Sequence, residues 1–123
     1  IGFGGKGSQV RDVIHILDVC KLIALQIKKI NSIYNLTMNA GGGRANAVSI
    51  KKLTKICEKI TSNKLKIYSK KGTSEYDIPY YVTDNSKVKK IYKWKPKEKI
   101  LHIIQDMYKW MLSNKKLLIK YIK

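Results

Sequence analysis

Little in this sequence is acidic: five Asp and three Glu stand against 26 Lys and Arg, for a formal charge of +18. Arginine is scarcer still, with Arg11 and Arg44 the only two and the other 24 basic residues lysine. Proteins that read nucleic-acid sequence rely on Arg, whose planar fork grips phosphate and guanine edges bidentately. A lysine-only excess therefore argues against base readout, and because the lysines run from Lys6 to Lys123 they form no stripe in the sequence. Charge alone supports non-specific attraction to polyanions and nothing finer. No apolar run approaches the roughly 18 residues that span a bilayer. Nor do residues 1–7 read as a leader, being glycine-rich rather than a basic stretch followed by an apolar one. The chain opens on Ile rather than Met, which reads as a processed or excised start. Cysteine is rare as well. Cys20 and Cys57 fall on the apolar sides of two predicted helices, so they read as free, buried thiols in a reducing, cytoplasmic compartment. With His15 and His102 they show no four-ligand zinc spacing, and no metal is expected.

What is present is enough for a fold. Hydrophobic residues make up 44% of 123, which excludes a disordered polycation and gives one domain a real core. Residues 1–9 hold four glycines and read as a loop, and the β-branched run 10–16 reads as a strand. Asp18 sits where an N-cap belongs, followed by Val19, Ile23, Ile27 and Ile30 at helical spacing. Residues 33–38 read as a second strand, closed by the Ala-Gly-Gly-Gly-Arg loop at 40–44. Ser49 can cap a helix with Ile50, Leu53, Ile56, Cys57 and Ile60 on one face and Lys51, Lys55 and Lys59 stacked on the other. Leu65 and Ile67 alternate with polar residues as in a half-exposed strand. Pro79 excludes a central strand for 77–81. Asp84 or Ser86 can start a short helix carrying Val88 and Ile91. A last helix over about 97–113 buries Ile100, Ile103, Ile104, Met107 and Trp110 or Met111. Trp94 and Trp110 both read as core. Residues 114–123 read as a basic tail, frayed or weakly helical.

Catalytic apparatus is missing from this inventory. Gly2, Gly4 and Gly7 match a GxGxxG spacing, but that motif needs a helix immediately after it, and here a strand follows. No nucleophile elbow or Cys–His context is present, and no tyrosine is followed by a lysine four residues on. A loop that lets backbone amides and Lys6 approach an anion fits better. Arg11, just after that loop, reads either as a diphosphate clamp or as an ion pair with Asp12 or Asp18. His15 reads as a packed or capping side chain rather than a base. Arg44 is either an anion contact or a solvated loop residue.

The run from Gly5 to Asp18, GKGSQVRDVIHILD, resembles the G-x-G-x-Q-x-R-D-x-x-H-V-x-D signature of the extended short-chain dehydrogenase/reductases. These are nucleotide-sugar epimerases and dehydratases. Tyr34-Asn35-Leu36 with Gly41-Gly42-Gly43-Arg44 and Ser49 resembles the family's N-x-G-G-G-R…S strand, loop and cap. Asp77-Ile78-Pro79-Tyr80-Tyr81, then Thr83-Asp84-Asn85-Ser86-Lys87, resembles its G-D-x-P-x-Y…D-x-S-K segment, and Trp94-Lys95-Pro96 its G-W-x-P. One departure stands out: the family's Arg-Pro-Gly before that Asp is here Ser74-Glu75-Tyr76, so that either Lys70 or Lys71 compensates, or substrate affinity is weak, or the nucleotide is held differently.

The resemblance implies an α/β fold: the small C-terminal substrate-binding domain of an extended enzyme, short strands packed with three main helices, over residues 1–113. It implies that the Rossmann half, which would carry NAD, lies outside this chain. Arg11 would contact the diphosphate of a nucleotide-sugar, by the resemblance a CDP-sugar. Gly5, Lys6, Gly7 and Gln9 would line its pocket, Arg44 would add an anion contact, and Asp77 with Tyr80 or Tyr81 would frame the sugar wall. The expected function is the substrate-binding portion of an NAD-dependent nucleotide-sugar epimerase, inactive in isolation and partnered by the Rossmann half, with homo-oligomers conceivable in the whole enzyme. The alternative is a small basic nucleic-acid-binding module.

Overall fold

The β-branched run at 10–16 pairs as a strand only over Val10–Asp12 (β1), because a helix begins sooner than expected. In the computed structural model, which describes residues 5–69, 72 and 75–121, α1 spans Ile16–Lys28. Its cap is His15, whose Nδ1 accepts the Leu17 N–H at 3.1 Å. An imidazole acceptor on an extended residue does here what Ser or Asp usually does. The reading of His15 as a capping side chain holds, and the assignment of that role to Asp18 is corrected.

Asp18 lies inside the first turn and is 0% exposed. Its Oδ2 accepts the N–H groups of Lys97 and Glu98, both at 2.9 Å, and its backbone carbonyl accepts the Trp94 indole N–H at 3.0 Å. Lys21 Nζ stands 3.5 Å from Oδ1. One short carboxylate thus anchors a segment nearly 80 residues away. Buried Asn46 does the same from a 3₁₀ turn at Arg44–Asn46, donating to the Glu98 carbonyl at 2.7 Å and accepting the Ile100 N–H at 3.1 Å.

β2, Ala47–Ser49, runs antiparallel to β1 with Val10 opposite Ser49 and Asp12 opposite Ala47. On its other edge Val10 bridges Tyr80 in parallel. Val10 N–H donates to the Pro79 carbonyl at 2.9 Å, and Tyr81 N–H donates to the Val10 carbonyl at 3.1 Å. Pro79 sits at the edge, where its missing N–H costs no ladder bond.

The glycine loop closes over β1. Asp12 Oδ2 accepts the Gly43 N–H at 2.7 Å, and Gly43 takes φ +65°, a conformation that favours glycine. At Gly42 a Cβ would fall within 2.9 Å of the Val13 backbone nitrogen and closer still to its carbonyl. Asn85 brackets Gly41 from the far side, accepting its N–H at 3.0 Å and donating to its carbonyl at 2.9 Å.

α2, Ile50–Thr61, is capped as expected: Ser49 Oγ accepts the Lys52 N–H at 3.2 Å. Lys51, Lys55 and Lys59 face solvent. α3 spans Ser86–Tyr92, α4 Ile100–Ser113 and α5 Lys115–Tyr121. α1 packs on α3 and α2 on α4. The core is Leu22, Val88, Tyr92 and Trp94, flanked by Ile14, Leu25, Ile33, Met38 and Ile91. At the seam of α1 and α4 the His15 and His102 rings stack with centroids 5.9 Å apart. The Asp106 carboxylate reaches both, at 3.4 Å from each Nε2.

The three long helices, α1, α2 and α4, agree with the expected architecture of short strands and three main helices. Several local expectations are corrected. Residues 33–38 and 64–68 form no strand, because neither finds a ladder partner among the described residues. Ile33 and Met38 pack on the core all the same. Cys20 is exposed rather than buried. Of the two tryptophans only Trp94 is core, since Trp110 is 53% exposed and Met107 beside it lies open too. α3 starts at Ser86, one of the two starts expected, with Asn85 in the cap position. Of the two readings given for the tail, helical is the one found, over Lys115–Tyr121.

Candidate anion-binding site

β1 and its two flanking segments build the candidate site, because they set side chains from residues 9, 11 and 77 against one another. Arg11 pairs with Asp77, Nη2 to Oδ1 at 3.0 Å, and each side chain is 36% exposed. Gln9 Nε2 donates to the same Oδ1. Arg11 Nη1 also donates to the Val10 carbonyl at 2.7 Å, which fixes the guanidinium across its own strand. The ion pair foreseen for Arg11 is real, but its partner is neither Asp12 nor Asp18. Asp12 is occupied with Gly43 and Asp18 with Lys97 and Glu98. A distant residue takes the role instead, 66 positions along the chain.

The loop before β1 is held by its backbone. The Gly7 carbonyl accepts the Lys51 N–H at 3.0 Å, and the Gln9 carbonyl accepts the Ile50 N–H at 3.0 Å, so the first turn of α2 carries the loop. Gly7 is buried with φ +63°, while Gly5 packs so close to Ser69 that a Cβ would collide with its side chain. Lys6 is exposed between them. Gly2 and Gly4, like Ser74, Lys70 and Lys71, lie outside the described residues.

Tyr80 and Tyr81 reach the site through their backbones and leave their rings largely exposed, at 61% and 48%. Arg44 stands apart from the Arg11 pair. It lines a separate cleft of about 450 Å³ with Tyr80, Asn85 and Lys89. Asp84 lies on that cleft with its carboxyl held below the ordinary aspartate value, first by the Ser86 hydroxyl and then by the Ser86 amide; Arg44 adds a smaller pull. The structure therefore brings Gln9, Arg11 and Asp77 together, joins Tyr80 and Arg44 in a neighbouring cleft, and leaves Lys6 in solvent. Asn85 and Asn46, which lock the glycine loop and α4, escaped sequence reasoning. The family-like Asn85 beside Asp84 was the one available signal for them.

Chemically, the arrangement offers a half-exposed guanidinium on a hydrogen-bonded frame and a carboxylate that already partners it. A phosphate entering here would exchange with Asp77 for the Arg11 donors. Among the described residues no three His, Cys, Asp or Glu side chains are grouped to hold a metal ion.

No family model matches the chain. It is 29% identical over 109 residues to the CDP-paratose 2-epimerase of Salmonella typhi, covering 89% of this chain and 32% of that protein. The dTDP-glucose 4,6-dehydratase of Bacillus anthracis, solved with NAD, superposes with a TM-score of 0.74 at 22% identity, over 94% of this chain and 35% of that one. The UDP-glucose 4-epimerase of Thermotoga maritima, solved with UDP-glucose, gives 0.73 at 23%, over 91% and 35%. The chain thus spans about a third of the length of the proteins it matches. Its fold is thus that of the C-terminal part of these longer enzymes, and its sequence is similar to one of them over most of its own length.

Proposed function

We propose that the chain is the substrate-binding portion of an NAD-dependent nucleotide-sugar epimerase acting in the cytoplasm on a CDP-sugar, as in CDP-tyvelose (CDP-paratose) 2-epimerization. The observation that carries this reading is the meeting of Gln9, Arg11 and Asp77 across β1. Over 109 residues the chain is similar to a CDP-sugar epimerase. Arg11 would hold the diphosphate, the loop Gly5, Lys6, Gly7 and Gln9 would close over the nucleotide, and Arg44 would supply a further cation. Asp77 with Tyr80 and Tyr81 would face the sugar.

The residues present do not fit NAD. The described chain enters a strand after Gly7, where a dinucleotide turn requires a helix start. In the whole enzyme the cofactor would belong to the two thirds of the relatives' length that this chain does not span. No hydride step is assigned to these residues, and the chain alone is expected to show no epimerase turnover.

Titration of the full 123-residue chain with CDP, followed by amide NMR, tests the reading. Shifts should concentrate at Gln9, Arg11 and Asp77, and Arg11→Ala should weaken binding at least about tenfold, as expected when a charge-assisted hydrogen bond is removed. Arg11→Lys should recover only part of it, because the fork is gone. Absence of any shift on β1 at millimolar CDP, or equal binding by Arg11→Ala, would refute the proposal.

A further inference from the structure

The sequence scatters its lysines, and the fold gathers part of them. A cleft of about 410 Å³ runs between α1 and the segment after α3, floored by Ala24, Leu25 and Trp94. Its rim is Lys21, Lys28, Lys93, Lys95 and Lys97. Lys93 and Lys95 continue into an adjoining cleft of about 520 Å³, where Lys89 and Lys90 join them. Among the described residues no carboxylate lines either cleft. Among the described residues only Lys21 has carboxylates within salt-bridge range, Asp18 at 3.5 Å and Glu98 at 3.7 Å, while Lys89 also borders the Arg44 cleft on which Asp84 lies. Seven lysines therefore share one continuous concave band, and six of them have no described carboxylate within salt-bridge range. Arg11, Gln9 and Asp77 are not among its walls.

We propose that this lysine band is a second binding surface, for the phosphodiester backbone of a nucleic-acid strand. Two features select that partner. Lysine neutralises phosphates as compact point charges, and a strand presents them at regular spacing along a continuous path such as this band. An anionic membrane would need apolar side chains projecting past the lysines; here Trp94 is 4% exposed and forms the floor instead. The Trp94 indole N–H is already given to the Asp18 carbonyl and the ring is covered, so no base stacks on it. Recognition is through phosphates and is sequence-independent.

The test is fluorescence anisotropy of the full chain with a labelled single strand of about 20 nucleotides, at several salt concentrations. Lys89→Gln/Lys93→Gln/Lys95→Gln should bind at least about tenfold more weakly than the unaltered chain. It should also flatten the log–log salt slope by about 0.7 for each phosphate it no longer neutralises. Lys51→Gln/Lys55→Gln/Lys59→Gln removes the same charge from the outer face of α2 and should stay within about threefold. If the first triple fails to fold, the single variants Lys89→Gln and Lys95→Gln probe the same surface, each weakening binding about threefold. Equal weakening in both triples would assign binding to diffuse charge and overturn the proposal. So would no binding near physiological salt, displacement by polyglutamate as effective as by unlabelled oligonucleotide, or capture by phosphatidylserine vesicles in place of the strand. Displacement by CDP would place the strand on the Arg11 site and would equally overturn it. Failure of CDP to bind β1 leaves this surface untouched, so the two proposals fall separately.

Discussion

Single residues carry more of this fold than their positions announce. Asp18 combines full burial, two backbone N–H donors and a lysine at 3.5 Å. Asp18→Ala strands both N–H groups of 97 and 98 and should cost about 3 kcal/mol in urea unfolding. Asp18→Asn keeps an acceptor and should cost roughly half of that. Asp84 offers a pH reading. Its folded-state carboxyl titrates below the ordinary aspartate range because Ser86 bonds the charged form. The turn it makes is therefore intact above the ordinary aspartate value and is released as pH falls through the lowered one. A carboxyl NMR titration should place the Asp84 midpoint below the ordinary aspartate value, and Ser86→Ala should move it upward. The sequence announces Asp18 as a residue of consequence but not its job, since a carboxylate three residues into a helix reads locally as a cap. Its partners at 97 and 98 are visible only once the chain is closed.

Among the elements, the helices were legible and the strands only in part, β1 being the first three residues of the run read at 10–16. Ile50, Leu53, Ile56, Cys57 and Ile60 recur at a period only a helix satisfies, and Ser49 marks the start. Strand identity depends on a neighbour: Leu65 and Ile67 have the alternation but no partner among the described residues, so they remain open coil. Ile14 and Ile16 are as β-prone as Val10, yet the chain turns into α1 because His15 caps it. The Arg11–Asp77 pair was half legible. The arginine and the aspartate were each marked out as site residues, but their contact arises from an edge bridge at Tyr80 that no local pattern encodes. The two caps can be compared directly. Ser49→Ala should cost about 1 kcal/mol, and His15→Ala more, toward about 2 kcal/mol, because it also empties a packed position. His15→Asn restores an acceptor and should recover part of the stability. Thermal unfolding of the four chains, unaltered and variant, decides the order.

On the scale of the whole molecule, charge and exposed apolar surface oppose each other. Ile16, Ile23, Ile27 and Ile30 line the outside of α1 and the turn after it and lie 48% or more exposed, while the formal +18 drives copies apart. Under the proposed function this stripe is where the rest of the enzyme would rest. Raising salt from about 0.05 to 0.5 M shortens the screening length several-fold. Sedimentation should then show self-association of the chain, with hydrophobic-dye binding at both salts. Ile23→Gln/Ile27→Gln should suppress both while leaving the urea midpoint nearly unchanged, since neither side chain is in the core. A dye signal that persists in that variant would locate the sticky surface elsewhere, with exposed Trp110 and Met111 on α4 the next to test.

The open stretch at 62–69 follows α2 in the chain, and every residue in it is exposed. The bonds that close the fold run past it: Val10 to Pro79 and Tyr81, Asp18 to Trp94, Lys97 and Glu98, Asn46 to Glu98 and Ile100, Asn85 to Gly41. A protease that nicks this stretch should therefore leave two peptides that stay together on a sizing column. The same halves, made separately and mixed, should reassemble into one complementing pair.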